Sequence, residues 1–377
     1  MTFKLSDICT FADGRIAVAD LDLNNYISTE NMLQNKEGIT RSAGLPTVNQ
    51  TQAYQAEDVL VSNIRPYFRK IWYADRDGGC SNDVLVFRAK ENVYPNFLYY
   101  LLSDNTFFDY ATATAKGTKM PRGDKGAIMR YEVPDLPLDI QIGIADTLAA
   151  LDARIAENRA INNHLEQMAQ AIFKSWFVDF EPSMPFTKIV QVLGGGTPRT
   201  GTAEYWSGDT PFFTPKDALG TTYTLNTEKS LTDAGLSNCN SRLYPINTVF
   251  VTARGTVGKL SLAGCPMAMN QSCYALVGIE GYGQHFVYHL AQFVVDSLKH
   301  KASGAVFDAI ITKDFESEIV PDIAAEDARS FEDKVIPIYK AILNHSNENL
   351  RLASLRDTLL PRLMSGELSV VGLNEAK

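Results

Sequence analysis

The sequence predicts an α+β protein in which two mixed α/β domains are separated by two long helices that form an antiparallel coiled coil. Three observations predict this fold. The chain repeats itself once, each repeat begins with short β-like runs, and each ends in a long stretch of apolar residues spaced four and three apart. At 377 residues the chain is long enough for two or three domains, each with its own hydrophobic core.

The internal repeat is visible when the second half of the chain is laid over the first so that Gly117 meets Gly304. The Val-Pro pair at 133–134 then falls on the Val-Pro pair at 320–321. Further upstream the match shifts by a few residues, as loop insertions produce, and the runs VLVSNI and NTVFVTA correspond. The pattern indicates a tandem duplication, with a pseudo-two-fold relation between the halves if the helices are antiparallel.

Each half opens with short runs typical of strands. These are VLVSNI and DVLVF in the first half, and NTVFVTA and YALVGI in the second. Turn-forming residues and aromatics separate them, as expected of a globular unit. The sequence therefore predicts mixed α/β domains at residues 1–137 and 183–323, and helical regions at 138–182 and 324–377.

Both helical regions carry a coiled-coil seam, from Ile144 to Trp176 and from Phe331 to Leu363. Polar residues occupy the same steps of both seams, and polar seam positions usually fix register and partner. The residues that we expect to pair the helices are Leu148, Leu151, Ile155, Asn158, Asn162, Leu165 and Ile172 in the first region and Ile338, Ile342, Asn349, Leu352 and Leu359 in the second.

The alternative is that each helix packs on its own domain, with the polar seam positions facing water. Pro337 and Pro361 are expected to kink or terminate the second helix, which would run undisturbed only from about residue 338 to 360. Helices of roughly 25 to 38 residues measure about 40 to 55 Å. Two domains held apart by such a rod would face DNA sites about one helical turn or more apart.

Composition excludes several classes of protein. Hydrophobic residues make up 45% of the chain and charged residues 21%, as in ordinary globular proteins, and no apolar run is long enough to span a bilayer. Residues 1–7 lack the features of a secretory signal, so we expect a cytoplasmic protein. Five cysteines without a C-x-x-C pair argue against a disulfide framework and against zinc.

The net charge of -9 counts against nucleic acid as a partner, but its distribution matters more than its sum. Residues 65–76 and 116–130 are each rich in lysine and arginine and contain a single aspartate. These segments predict local basic surfaces on an acidic protein.

Residues 193–201, LGGGTPRTG, do not form a nucleotide-binding loop. Thr202 stands where a nucleoside-triphosphate loop needs its lysine, and Pro198 follows the glycines where a dinucleotide-binding loop needs a helix. His285 and His289 are four residues apart, but no third ligand is near, so we predict no metal site. Neither a Ser-His-Asp nor a nucleophilic cysteine arrangement can be argued, and we predict no catalytic residue.

Four separated motifs resemble the specificity subunits of type I restriction-modification enzymes. Residues 165–180 (LEQMAQAIFKSWFVDF) resemble the central conserved region of that family, and residues 355–368 (LRDTLLPRLMSGEL) resemble its C-terminal conserved region. Residues 26–33 (YISTENML) and 194–218 (GGGTPRTGTAEYWSGDTPFFTPKDA) resemble the starts of two classes of its target-recognition domains. The resemblance covers essentially the whole chain.

The resemblance implies a DNA-reading protein without chemistry of its own. Its two target-recognition domains would each read one half of a split, asymmetric duplex target, while the helices fix the gap and dock two methyltransferase subunits. Those subunits would bind S-adenosylmethionine, a cofactor that this chain would not hold, and would methylate adenine N6 on a flipped base. Motor-nuclease subunits would complete a phage-defence complex that cleaves unmethylated DNA.

Candidate DNA contacts are basic and polar side chains near turns. Arginine, lysine, asparagine and threonine side chains can read base edges, and the remaining cations would contact phosphates. In residues 194–216 we expect the glycines to let the backbone approach a duplex, the alternative being a surface loop with a solvated arginine. The candidates are Asn63, Arg65, Arg69, Lys70, Lys116, Lys119, Arg122 and Lys125 in the first domain and Thr197, Arg199, Thr214, Lys216, Arg254, Lys259 and Lys301 in the second.

Two other functions stay open on the sequence alone. One is a coiled-coil adaptor that touches no DNA, and the other is an enzyme with its own cofactor site, which would need an N-P-P-[FYW] or nuclease motif that the sequence does not supply. Trp176, Phe177 and Phe180 crowd the end of the first helix. They are expected in the core beneath the second domain, with an exposed patch for the methyltransferase as the alternative.

Overall fold

The computed structural model of the chain describes residues 2–177, 181–301 and 309–370. They form two compact units. Unit 1 comprises Met1–Arg154 with Leu352–Lys377, and unit 2 comprises Ile155–Arg351. Each unit therefore combines one mixed α/β region with a part of both long helices. The division into four consecutive regions stays a prediction.

Unit 1 contains short strands and helices that lead into a long helix. Its strands are β1 (Thr2–Lys4), β2 (Cys9–Phe11), β3 (Arg15–Ala17), β4 (Tyr26–Ile27), β5 (Gln50–Tyr54), β6 (Val59–Ser62), β7 (Ile71–Tyr73), β8 (Gly78–Cys80), β9 (Val84–Ala89) and β10 (Glu132–Pro134). Its helices are α1 (Leu5–Ile8), α2 (Pro95–Ser103), α3 (Asn105–Ala113) and α4 (Lys125–Ile128), with 3₁₀ turns at Val18–Asp20 and Pro66–Phe68, and α5 (Leu138–Phe177) follows.

The central sheet of unit 1 has the order β2-β9-β6-β7 and is covered on both faces. Val59 and Phe87 pack on one face with the apolar side chains of α2 and α3. Leu60 and Val86 pack on the other face with residues of the sheet β3-β5-β8-β4. Burial on both faces explains why these strands read as continuous apolar runs rather than as alternating patterns.

Unit 2 has a corresponding set of elements. Its strands are β11 (Pro182–Pro185), β12 (Val190–Gly194), β13 (Trp206–Phe213), β14 (Tyr223–Thr224), β15 (Lys229–Leu231), β16 (Val249–Thr252), β17 (Leu260–Ala263), β18 (Ala268–Met269), β19 (Cys273–Gly278) and β20 (Ile319–Pro321). Its helices are α6 (Asp233–Ser237), α7 (Gln284–Lys301) and α8 (Thr312–Ser317), with 3₁₀ turns at Phe186–Lys188 and Ala203–Tyr205, and α9 (Ala325–Met364) ends the series.

The structure confirms the internal repeat. The sheet of unit 2 has the order β12-β19-β16-β17-β14, and its first four strands reproduce the order β2-β9-β6-β7 of unit 1. In each unit the opening strand also pairs antiparallel with the strand before a long helix, β1 with β10 and β11 with β20. All four β-like runs predicted from the sequence contain strands.

The two long helices pair antiparallel, as predicted. Within unit 2, Asn158 Nδ2 donates to Asn349 Oδ1 over 2.9 Å, and Asn162 Nδ2 donates to the carbonyl of Ile342 over 3.3 Å. Within unit 1, Arg356 donates to Asp152 over 2.6 Å in the same antiparallel sense. Asn158 is fully buried, so this polar seam position does not face water.

The predicted pairing residues all lie on these two helices. Leu148, Ile155, Asn158 and Ile342 are buried; Leu151, Asn162, Leu165, Ile172, Ile338, Asn349, Leu352 and Leu359 are half-buried.

The expectation that Pro337 and Pro361 would confine the second helix is wrong. The helix α9 is 40 residues long and contains both prolines, and α5 has the same length. Each proline removes one hydrogen bond, to the carbonyl four residues earlier. Both prolines and the residues at those carbonyls, Asp333 and Asp357, are exposed, so water can satisfy the released oxygens. At about 1.5 Å per residue each helix is about 60 Å long.

No helix within the three described ranges is long and apolar enough to cross a membrane.

Candidate nucleic-acid interface

The turn that follows β6 holds two of the predicted arginines in unit 1. Arg65 and Arg69 flank the 3₁₀ turn Pro66–Phe68, and both have a φ of 51°. A residue with a Cβ rarely adopts this left-handed conformation. The segment 34–36 holds one side of the turn, because the amides of Asn35 and Lys36 donate to the carbonyls of Phe68 and Arg69 over 2.9 Å.

A second basic loop holds the other side of this turn. Lys116 and Arg122 exchange backbone hydrogen bonds of 2.8 and 2.9 Å, which close a loop containing Lys119. The Arg65 amide donates to the carbonyl of Pro121, which lies in this loop, over 2.8 Å. The structure thus brings together the two basic segments that the sequence predicted separately.

Several cations of this surface have partners within unit 1. Arg69 lies 3.5 Å from Asp109, Arg122 lies 2.9 Å from Asp83, and Lys116 pairs with Asp124. The hydrogen bond from Lys116 is the main reason that the pKa of Asp124 is lowered to about 2.

The remaining predicted contacts of this surface differ in their surroundings. Lys70 donates to the carbonyl of Thr29 over 2.6 Å, and Lys125 lies 5.6 Å from the ring centroid of Phe11. Arg65 and Lys119 make no side-chain hydrogen bond or ion pair to other described residues. Asn63 is buried beneath the turn, with 9% of its surface exposed.

The turn that follows β16 gathers predicted contacts in unit 2. Thr256 Oγ1 donates to the carbonyl of Pro215 over 3.2 Å, and Lys259 Nζ donates to the carbonyl of Ala218 over 3.1 Å. These bonds place Arg254 and Lys259 beside the segment 214–218, which contains Thr214 and Lys216. Lys216 forms an exposed ion pair of 3.2 Å with Glu228.

The other predicted contacts of unit 2 lie on different elements. Thr197 and Arg199 belong to the loop after β12, where Thr197 bonds Gln271 and Arg199 is exposed. Lys301 ends α7 and lies 2.6 Å from Glu318, whose side chain is 3% exposed. Its ammonium group therefore neutralises a buried carboxylate of the unit.

The glycines of the 194–196 run have a packing role that the sequence did not predict. A Cβ on Gly195 would lie 2.2 Å from the carbonyl oxygen of Asn270, and one on Gly196 would lie 2.7 Å from the amide nitrogen of Asn240. The open sides of these two glycines thus face the protein's own backbone. Close packing accounts for glycine at 195 and 196, and the approach of a duplex to this segment stays a prediction.

The family model for the type I restriction modification DNA specificity domain matches residues 1–167 and 182–321. The chain belongs to this family. Members of this family are the DNA-recognition subunits of type I restriction-modification systems and are not the catalytic subunits.

Individual members of this specificity family have low sequence identity to the chain, but the similarity extends over most of its length. The type I restriction enzyme HindI specificity subunit of Haemophilus influenzae is 25% identical over 433 aligned positions, which cover 91% of this chain and 94% of that protein. The MjaIX specificity subunit of Methanocaldococcus jannaschii is 22% identical over 74% of this chain and 71% of its own. A crystal structure of the S subunit from M. genitalium has a TM-score of 0.57 at 14% identity over 97% and 96% of the chains, which supports the fold.

The two closely spaced histidines of this specificity-family member lie in the core of unit 2. His285 Nδ1 lies 2.7 Å from Glu332 Oε1, and His289 Nε2 lies 2.8 Å from the hydroxyl of Tyr339. Burial lowers the pKa of His289 to about 4, which keeps its imidazole neutral. Among the described residues there is no group of three or more His, Cys, Asp and Glu side chains that could hold a metal.

The aromatic residues at the end of α5 are also part of this core. Phe177 is 4% exposed and stacks edge-on with Phe331 at 5.8 Å between ring centroids, while Trp176 is half-buried beside Lys334. Phe180 lies outside the described residues. Core packing, the expected role, accounts for Phe177 and Trp176.

Sequence reasoning missed two residues of these surfaces. Tyr67 is 48% exposed at the tip of the turn after β6. Thr256 lies in the turn after β16 and bonds that turn to segment 214–218. An alignment of the two turns would identify both residues, because the two turns follow matching strands of the specificity-family repeat.

Proposed function

We propose that this chain recognises a split, asymmetric duplex DNA target and carries two adenine-N6 methyltransferase subunits. Motor-nuclease subunits bind to the resulting complex. The observation that supports the proposal most is the repeat of one sheet order in two units, both of which overlap the matches to the DNA specificity model. Two copies of one recognition unit suit two half-sites.

The differences between the units support an asymmetric target. The first gathers its basic side chains on the turn after β6 and the loop 116–122. The second gathers them on the turn after β16 and segment 214–218. Because base edges are read by individual side chains, two frames with different side chains read different sequences.

The antiparallel helices supply a docking surface for the methyltransferases. Apolar side chains on them that are at least 40% exposed are Leu138, Met168, Ile336, Leu350 and Leu355. Exposed apolar side chains on long helices favour partner proteins. The partner subunits would bind S-adenosylmethionine, and this chain would direct them to DNA without holding the cofactor.

The test is to co-express the chain with its candidate methyltransferase in a host that lacks adenine methylation, and to map N6-methyladenine across the host DNA. One split motif with two unlike halves and a constant gap is expected. If DNA stays unmodified while the methyltransferase is folded and bound to S-adenosylmethionine, this chain does not direct it. The methyltransferase expressed alone is the control.

A further inference from the structure

The turns after β6 and β16 share one backbone frame, which assigns residues of unit 1 to counterparts in unit 2. We name residues 62–70 and 252–259 the strand-end turns. Three amide-to-carbonyl hydrogen bonds of the first turn have equivalents in the second. The bond from Ser62 to Lys70 (3.1 Å) corresponds to that from Thr252 to Lys259 (2.9 Å), and the bond from Asn63 to Asp83 (2.8 Å) corresponds to that from Ala253 to Ser272 (2.8 Å). The bond from Gly123 to Asn63 (3.1 Å) corresponds to that from Ile310 to Ala253 (2.9 Å). The bridges Ile64 to Arg122 and Arg254 to Ala309 also correspond.

In this frame the two arginines of the first strand-end turn stand where the second has glycines. Arg65 corresponds to Gly255, and Arg69 corresponds to Gly258. All four have positive φ, 51° for both arginines, 81° for Gly255 and 75° for Gly258. Glycine adopts this conformation without strain, whereas a residue with a Cβ does not. The backbone therefore does not explain arginine at these positions, and the side chains must.

The side chain of Arg69 has an explanation within unit 1. Its guanidinium donates to Asn105 Oδ1 over 3.1 Å and lies 3.5 Å from Asp109, so it anchors the turn to α3.

The side chain of Arg65 has no such explanation. Its Nε is buried and has no hydrogen-bond partner among the described residues, and its guanidinium carbon lies 5.9 Å from the ring centroid of Phe68. Asn63 Oδ1 is likewise buried without a partner in that part of the chain. Buried groups that lack partners are uncommon in native proteins, and strained backbone concentrates at functional sites.

The second strand-end turn places an arginine at the neighbouring position. Arg254, the counterpart of Ile64, is exposed and has no side-chain hydrogen bond or ion pair to the residues that the structure describes. Each turn thus carries one arginine whose side chain has no hydrogen-bond or ion-pair partner within the described ranges, at adjacent positions of a common frame. The other cations of these turns, Arg69, Lys70 and Lys259, are bonded within their units.

We propose that Arg65 and Arg254 are specificity-determining residues that each read a guanine in the major groove, one in each half-site. The parallel donors of a guanidinium match O6 and N7 of guanine, a pairing that lysine cannot reproduce. Because the arginines occupy adjacent positions of one frame, they place guanine differently in the two half-sites. This assignment rests on the proposed function, in which each unit reads one half-site.

The experiment maps the methylated motif of the assembled methyltransferase complex with variants of the two turns. Arg65→Gly removes the guanidinium and gives the turn the residue that unit 2 uses, so we expect the variant to fold. In the methylated motif of this variant, one position that is guanine with the wild type should accept other bases, in one half only. The preference for guanine over other bases at that position should fall by about 5- to 150-fold. Arg254→Ala should have the same effect in the other half only.

Glu57→Gly is the matched control, since it relieves a left-handed conformation (φ 71°) at an exposed position of unit 1 that is not among the candidate DNA contacts. It should leave the motif unchanged. Arg65→Lys keeps the charge without the paired donors and should broaden the same guanine position as Arg65→Gly. Thermal unfolding of each complex reports whether the variants fold.

Three outcomes would overturn the assignment. These are an unchanged motif with Arg65→Gly or Arg65→Lys, a uniform loss of methylation with the motif intact, as a phosphate contact would give, and a loss of base discrimination with Glu57→Gly. In each of them the wild-type complex still methylates a split motif. Failure of the proposed function is distinguishable, because the wild-type complex then methylates no such motif.

Discussion

The glycines at 195 and 196 differ from nearby Gly201 in what surrounds them. Gly195 and Gly196 lie against backbone atoms of the residues around Asn270 and Asn240, whereas no described atom lies within 4 Å of the position that a Cβ on Gly201 would take. Backbone atoms cannot move aside as a flexible side chain can. A methyl group therefore has different consequences at the two places.

We predict that Gly195→Ala destabilises the protein by about 2 kcal/mol or more, because its Cβ would overlap the carbonyl of Asn270. Gly201→Ala is the control and should change stability by less than about 0.5 kcal/mol. Denaturant unfolding of both variants measures the difference. Equal stability of the two would show that the strand at 190–194 shifts to make room, and that close packing does not require glycine.

The buried imidazole of His289 makes stability depend on pH. Burial lowers its pKa from the ordinary 6.5 to about 4, so the unfolded chain binds a proton in this range that the folded chain does not. Stability is therefore fully present above about pH 6.5 and is lost as the pH falls towards 4. Glu332, His285 and Tyr339 face the same cluster. The pKa of Glu332 is lowered by its bonds to His285, despite burial, so its contribution is lost only below its ordinary 4.5.

Unfolding free energies measured between pH 7 and 5 should fall by up to about 1.4 kcal/mol per pH unit through this histidine. His289→Gln keeps an acceptor for Tyr339 and removes the titrating group, so its pH dependence should be flatter. Between pH 7 and 8 the two proteins should differ by a constant amount. An unchanged slope in His289→Gln would assign the effect to another group.

The helix seam contains an amide pair made by the buried Asn158 and the half-buried Asn349. Asn158 Nδ2 donates to Asn349 Oδ1 and to Glu348 Oε2 over 2.9 Å each, but Asn158 Oδ1 is buried without a partner in the described part of the chain. A polar pair of this kind fixes helix register at some expense of stability.

Asn158→Ala is expected to destabilise the protein by about 1 to 3 kcal/mol, because it leaves the amide oxygen of the half-buried Asn349 without this donor. The double variant Asn158→Leu, Asn349→Leu should be at least as stable as the wild type, since two apolar side chains fill the seam. Denaturant unfolding of the single and double variants gives the coupling energy. Additive losses would mean that the two amides do not stabilise one another.

The sequence predicted the long helices well and their ends poorly. The four-three spacing alone located both seams and their polar steps, because a coiled coil imposes that period along its whole length. Pro337 and Pro361 misled the prediction, since whether a proline ends a helix depends on where the released carbonyl faces. Exposure is a property of the fold, and the local sequence does not contain it.

The candidate site was predictable in its segments but not in its geometry. Charge density located the basic segments of unit 1, and the structure placed them side by side through the bond from the Arg65 amide to Pro121. Left-handed arginines could not be foreseen, because a left-handed position is recognised in a sequence only by glycine or asparagine. The carboxylate partners of Arg69 and Lys301 likewise come from distant parts of the chain.

The protein as a whole is acidic, although the ligand that we propose for it, DNA, is an anionic polymer. The net charge is -9, yet the predicted contacts include cations that have no carboxylate partner among the described residues: Arg65, Lys70, Lys119, Lys125, Arg199, Arg254 and Lys259. Others are paired with Asp or Glu, as Arg122 and Lys216 are. The unpaired cations set how many phosphates the chain can neutralise without breaking an ion pair of its own.

We therefore predict that DNA affinity of the assembled complex falls with salt more steeply than that of a variant in which Lys119, Lys125 and Lys259 are glutamine. Each neutralised phosphate contributes about -0.9 to the slope of log affinity against log salt, so loss of these cations should make the slope shallower by roughly 2 to 3. Fluorescence anisotropy with labelled duplex at several salt concentrations measures both slopes.

Lys216→Gln is the control, because its ion pair with Glu228 already engages the charge, and it should change the slope less than the loss of an unpaired lysine. A wild-type affinity that does not fall with salt would contradict phosphate binding and favour an adaptor that touches no DNA.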